Sequence, residues 1–228
     1  HAWTEINVPQ RPFEIENVDT VTVPLAQSGY TTEYLRYRIT INDRPNETNY
    51  YRIVIDKQTT LWGYNHEEGG DDYIYWTKHS YNFIGREDVV LTDGQPTTGD
   101  DEDNGLFDTA KNIYGVFDDT RFRNTSYTMT VYNNTKIETG SDSGYFSGMD
   151  VIIRLMSITE TEYYYLKALN LVDSDAYDET INEPIKYPSN VHGGTGMVGI
   201  STEVTQTIHI ISSSHSKGNL APPVHVYQ

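Results

Sequence analysis

The first residues in this 228-residue chain whose types and spacing could do chemistry are the carboxylates of Gly99 to Gly105, reading GDDEDNG. Asp100, Asp101 and Asp103 offer oxygen donors of the kind that a hard cation such as calcium gathers roughly six to eight at a time. Laid against a calcium-hand loop, with Asp100, Glu102 and Asn104 as donors and Gly105 at the turn, the closing bidentate position falls on Lys111. A lysine cannot close that loop, so the calcium-hand reading fails. A non-standard calcium site and a solvated acidic loop both stay open, the loop being the plainer reading.

The second constellation is aromatic. Trp62, Tyr64, Tyr73, Tyr75 and Trp76 flank a loop bearing His66, Glu67, Glu68, Asp71 and Asp72. Exposed rings stack on sugars or peptide side chains, and neighbouring carboxylates bind hydroxyls or cationic groups. These five residues therefore make a candidate binding face. The competing reading is that the rings fill a core built from strands.

Catalytic patterns are thin. The seven histidines include no pair at i, i+4 and no HExxH, which gives a zinc hydrolase no support. The run Ser212-Ser213-Ser214-His215 lacks the Gly-x-Ser-x-Gly elbow. Paired carboxylates abound, but in so acidic a chain chance supplies them. No catalytic residue is assigned.

The elements that must position these groups read mainly as strands. Between Glu33 and Asn42, Leu35, Tyr37, Ile39 and Ile41 interleave with Tyr34, Arg36, Arg38 and Thr40, the period of two of a half-buried strand. Arg44-Pro45-Asn46-Glu47 turns the chain and YYRIVID at Tyr50 to Asp56 runs back, which predicts an antiparallel hairpin. Further strands are expected from Thr20 to Pro24, Asp72 to Thr77, Ser126 to Tyr132 and Met149 to Ser157, with one or two more from Gly196 through Ile211. Between Thr159 and Asp173 the spacing of Tyr163, Leu166, Leu169 and Leu171 turns helical, with Glu160 and Glu162 at the end where a helix dipole favours acids. A shorter helix is expected at Leu106 to Ile113. Gly63 to Asp72 and Thr92 to Gly105 read as loops.

Composition narrows the classes. The apolar fraction is only 36%, yet 19 Tyr lift the aromatic share to 12%, and disordered chains lack such aromatics. A formal charge of −17, from 33 acidic against 16 basic residues, would repel nucleic acid and anionic membrane surfaces. Zero cysteines remove disulfides, thiolate metal sites and cysteine nucleophiles. No apolar run approaches the roughly 18 residues of a membrane span. The opening His1-Ala-Trp, without initiator Met or leader, reads as a processed or truncated fragment.

Glu183 to Gly199, EPIKYPSNVHGGTGMVG, is a backbone device, its glycines marking a fixed turn that runs into a strand. Together with AWTEINVPQRPFEIENVDT at the start, YYRIVI at Tyr50 to Ile55, VFDDTRFRNTSYTMTV at Val116 to Val131 and VIIRLMSITETEYYYLKAL at Val151 to Leu169, it resembles the domain of unknown function 4249. That family comprises outer-membrane lipoproteins of the Bacteroides group. The resemblance runs through most of the chain in the family's order, matching its C-terminal part. It implies a protein held on the outer membrane by a lipidated cysteine, facing the periplasm or the cell surface and often encoded beside a TonB-dependent receptor. The chain departs from the pattern in having no lipobox cysteine, no preceding N-terminal β-sandwich and no aromatic after the glycine block, around Val198. Asn190, Gly193, Gly194 and Gly196 match the signature and take a structural role. The family has no established catalytic residues to carry over.

The combined expectation is a mainly β fold, an antiparallel barrel or sandwich with one α-helix packed near residues 159–172. It forms one domain over 1–228, with residues 1–18 an extended lead-in. The leading function is a non-enzymatic accessory lipoprotein of the outer membrane, binding a nutrient, peptide or glycan, for a TonB-dependent transporter. No cofactor is expected besides the calcium considered above. A structural or adhesive surface subunit is the alternative class and a hydrolase the third.

Overall fold

The computed structural model describes residues 1–27, 30–64, 73–85, 87–94, 112–134, 145–173 and 185–210. Asp100, Asp101 and Asp103 lie outside them, as does the expected short helix up to Lys111, while Ile113 sits in a turn.

Strands β1 (Asn17–Gln27), β2 (Tyr30–Asn42), β3 (Tyr50–Tyr64), β4 (Tyr73–Ser80), β5 (Val116–Asp118), β6 (Ser126–Asn134), β7 (Tyr145–Ile158) and β8 (Thr202–Ile210), with helix α1 (Glu160–Val172), make up the regular structure. One sheet has the order β1-β2-β6; the other runs β4-β3-β7-β8, with β5 also paired to β3. The β1–β2, β2–β6, β3–β4 and β3–β5 pairings are antiparallel. Among the described residues the fold is therefore mainly β with one helix, as the alternation predicts. Of the two expected forms it is sandwich-like, with no closed barrel among the described residues.

One expectation is corrected. β2 and β3 do not form a hairpin: β2 pairs β1 and β6, while β3 belongs to the other sheet. The reason lies in the connection. Asp43 is buried directly after β2 and accepts bonds from Tyr51, Asn49 and Asn124, so residues 43–49 are tied into a crossover instead of a tight turn. The stretch Gly196–Ile211 yields one strand, β8, preceded by irregular chain.

The chain divides into two compact units, one of His1–Val54, Asn82–Thr135 and Arg154–Gln206, the other of Ile55–Tyr81, Lys136–Ile153 and Thr207–Gln228. In the first, Tyr37, Ile39 and Ile41 of β2 alternate into the core, and Val131 and Met129 of β6 stand opposite Tyr37 and Ile39 in register. Tyr51 and Phe117 stack at 5.4 Å, and Phe122 stacks on Tyr127 of β6 at 5.3 Å. Such aliphatic and aromatic burial stabilises by about 1.5–3 kcal/mol per side chain. In the second unit Ile55, Leu61, Met149, Val151 and Ile153 are buried at alternate strand positions.

Thr159 starts α1 by accepting a bond from the Glu162 N–H at 3.2 Å, and Glu160 and Glu162 occupy the first turn. Tyr163, Leu166 and Asn170 form its buried stripe, the two apolar members packing with Val116 and Ile158. Asn170 is satisfied by the Tyr114 N–H and by Asn112, which itself braces both ends of the turn into β5.

Asp118 ties β5 to α1. Burial pushes its carboxyl upward, but bonds from the hydroxyl and N–H of Thr120 and the hydroxyl of Tyr163, with the Lys167 charge, outweigh this and hold it below the ordinary Asp value. A depressed folded-state pKa stabilises above the unfolded value, near 4, and that stabilisation is lost as pH falls through the folded value. The stability gap between wild type and Asp118→Asn should therefore be constant around neutrality and shrink below about pH 4. Urea melts of both proteins across that range measure it; a gap that widens on acidification would contradict the assignment.

Candidate functional site

Three segments of the first unit meet around an open cleft of about 430 Å³. Each is fixed by bonds that follow from its sequence.

The first wall is the N-terminal segment, residues 5–10. Trp3 exchanges both backbone bonds with His192 at 3.1 and 2.8 Å, and their rings stack at 4.3 Å. The Thr4 hydroxyl donates to the Asn190 carbonyl. Farther along, the Thr202 hydroxyl donates to the Pro9 carbonyl at 3.2 Å, and Arg11 Nε donates to the Glu203 carbonyl at 3.1 Å. The wall is thus anchored at both ends, and Glu5 is exposed between the anchors.

The anchor at Asn190 explains the glycine segment. Asn190 Nδ2 donates to the Val198 carbonyl at 2.8 Å and its Oδ1 accepts the Val198 N–H at 2.9 Å, so one carboxamide closes the loop as a strand partner would. Gly193 has φ 75°, and a Cβ there would lie 2.8 Å from the His1 carbonyl oxygen. Gly196, at φ 131°, offers its carbonyl to the Ser189 hydroxyl. Both values are costly for residues with a Cβ. Gly194 sits between them, where a Cβ would touch Ala2 and Val191 at ordinary distance. Asn190 also lines the cleft, so the loop positions the wall.

The second wall is Glu47 to Tyr50. Beneath it lies a buried polar knot: the Asp119 side chain, 0% exposed, accepts the Asn49 N–H at 2.8 Å, Asn49 Nδ2 at 3.2 Å and Arg123 Nη2 at 3.1 Å. Asn49 Nδ2 also reaches Asp43 at 3.3 Å, and Arg123 reaches the Thr48 hydroxyl at 2.9 Å. Burial raises the Asp43 carboxyl; the Asn124 N–H opposes that rise and the Asp119 charge adds to it.

The third wall is Ser157 to Thr161, the last residues of β7 and the start of α1. The Tyr50 hydroxyl donates to Glu160 Oε1 at 2.9 Å. Burial, and then that bond to Glu160, pushes the tyrosine well above its ordinary value, so it remains a neutral donor.

Each wall thus includes one exposed acidic residue, Glu5, Glu47 or Glu160, and among the described residues no Lys, Arg or His lines the cleft. Asn7, Gln10, Thr48 and Thr161 supply amide and hydroxyl groups, while Ile6, Val8, Pro9 and Ile158 supply apolar surface. Such an arrangement can orient a polar ligand. Sequence reasoning missed it, because three glutamates so far apart in the chain carry no common motif.

The aromatic candidates lie on the β3–β4 hairpin of the second unit. Its register sets Trp62 opposite Tyr75 and Tyr64 opposite Tyr73. Trp76 stands opposite Leu61, and Leu61 is fully buried. Among these positions Trp76 and Tyr75 are adjacent in β4, and Tyr75 is 42% exposed. Among the described residues no group of three or more His, Asp or Glu is placed to hold a metal ion, and no helix is long and apolar enough to cross a membrane.

Fold and site define a sandwich-like, mainly β protein that presents an acidic, open cleft beside the start of its helix. The family model of the domain of unknown function DUF4249 matches residues 1–207, and the chain belongs to that family. No curated protein matches it.

Proposed function

We propose that this protein is a non-enzymatic accessory lipoprotein of the outer membrane that captures a small polar nutrient, a peptide or glycan, for a partner TonB-dependent transporter. The observation that carries the capture role is the open cleft of about 430 Å³, lined by residues of three separate segments that mix acidic, neutral polar and apolar side chains. Ligand sites are concave, largely pre-formed and furnished with a few convergent polar groups, and this cleft has those attributes. Its walls are braced by the Asn190 loop and the Asp119 knot, so a ligand would meet an ordered surface, and little affinity would be lost to ordering it. The surface location and the transporter partner rest on the resemblance to the Bacteroides-group lipoproteins.

The test is affinity capture of the membrane-anchored protein from its own cells after gentle solubilisation, read by mass spectrometry. A TonB-dependent receptor recovered in stoichiometric amount is the expected result. Recovery of only further copies of the chain or of other surface proteins would replace the capture role with an adhesive one.

A further inference from the structure

Resting on the capture reading, we infer that the nutrient is a neutral oligosaccharide of hexopyranose units, held where Tyr50, Glu160 and Tyr164 meet at the third wall of the cleft.

Direct contacts bring these three side chains together. Tyr50 and Glu160 both line the cleft, and the Tyr50 hydroxyl donates to Glu160 Oε1 at 2.9 Å. The Tyr164 ring stands 6.3 Å from the Tyr50 ring, and its hydroxyl interacts with that of Tyr50. Helical spacing explains the meeting, since residues four apart on α1, such as Glu160 and Tyr164, are neighbours on its surface. Buried Tyr163 lies edge-on to Tyr164 at 5.1 Å and 4.9 Å from Tyr50, so both rings are held in place. Tyr164 is nevertheless 51% exposed. A ring fixed by two neighbours and left half in water is a preformed contact surface beside the cleft.

A sugar matches this cluster. Each pyranose has an apolar C–H face that packs on an aromatic ring and a rim of hydroxyls that pair with a few fixed polar groups. Glu160 accepts one bond, from Tyr50, and a carboxylate can accept several more. The exposed amides of Asn7 and Gln10 and the part-exposed hydroxyl of Thr161 add donors and acceptors in the same lining. Every sugar hydroxyl can donate to the oriented carboxylate, whereas a peptide main chain brings one carbonyl for each N–H. An acidic sugar would meet Glu160 with, among the described residues, no cation in the lining to offset it.

The experiment is a nuclear magnetic resonance titration of the ¹⁵N-labelled chain with maltotetraose, cellotetraose, mannotetraose and galactotetraose. Tetragalacturonate and acetyl-tetraalanine-amide serve as the acidic and peptide comparisons. The backbone amides of Tyr50, Thr161 and Tyr164 report occupancy. At least one neutral tetrasaccharide is expected to move them to saturation, and the two comparison molecules are expected to leave them in place. Tyr164→Ala should raise the midpoint about fivefold, the loss of one aromatic contact, while Tyr164→Phe, which keeps the ring, stays within about twofold. Glu160→Ala should raise it about tenfold, the loss of a charged acceptor. Both positions are exposed, so thermal melts of the variants should match wild type. If a neutral sugar binds both alanine variants as it binds wild type, its placement at this cluster is overturned. If only the peptide or the acidic sugar moves the amides, the neutral-sugar inference falls and capture stands. If nothing moves them, the two fall together.

Discussion

Asp119→Ala is expected to lower the unfolding free energy by about 3 kcal/mol, the cost of breaking a buried charge-assisted knot from one side. The wild-type carboxylate is fully buried and accepts three bonds, two from Asn49 and one from Arg123. Without it, the N–H and Nδ2 of Asn49 lose an acceptor in a region with little access to water, and Asp43 remains as the only carboxylate touching that side chain. Arg123 is about half exposed and can turn to solvent, which is why the expected cost lies at the lower end for a broken buried pair. Asp119→Asn keeps the shape and one acceptor oxygen, and should recover part of the loss. Urea unfolding followed by circular dichroism measures both; a change within about 0.5 kcal/mol for Asp119→Ala would show that the knot does not hold the crossover.

Thr161→Trp is expected to have the largest effect on function with little effect on the fold. Thr161 lies in the first turn of α1, part-exposed, on the cleft side. An indole there projects into space that a ligand would occupy, and steric overlap of this kind costs about 1–3 kcal/mol, or roughly fivefold to 150-fold in affinity. The capping residue Thr159 and the buried stripe of Tyr163, Leu166 and Asn170 are untouched, so the melting behaviour should stay close to wild type.

The strands and the helix were legible because their patterns are local. Leu35, Tyr37, Ile39 and Ile41 alternate without interruption, and β2 forms where they do. The start of α1 was written in Thr159-Glu160-Thr161-Glu162, a side-chain acceptor followed by first-turn acids. The partner of each strand was less legible. Alternation says which residues face inward but not across which sheet, and Arg44-Pro45-Asn46-Glu47 suggested a hairpin because the buried acceptor role of Asp43 has no sequence signature. β5, only three residues long, was missed for want of a period.

The candidate site divides in the same way. The glycines read as a turn because positive φ is glycine's province, Asn190 took its structural role from the family resemblance, and the bonds from Asn190 to Val198 supply a physical basis for it. The aromatic positions could be named but not paired, since only the register sets Trp62 opposite Tyr75, Tyr64 opposite Tyr73 and Trp76 opposite Leu61. Glu5, Glu47 and Glu160 were invisible as a set. The walls that carry them depend on the Trp3–His192 pairing, the Asp119 knot and the Thr159 cap, which lie far apart in the chain.

Retention of ligand from a mixed pool tests the central claim most directly. Wild-type and Thr161→Trp proteins are each immobilised and exposed to the same mixture of short peptides and oligosaccharides. They are then washed, and the released molecules are identified by mass spectrometry. The cleft account predicts a defined set of small polar molecules held by the wild type and absent from the variant. An empty set for the wild type, or the same set from both proteins, would contradict it.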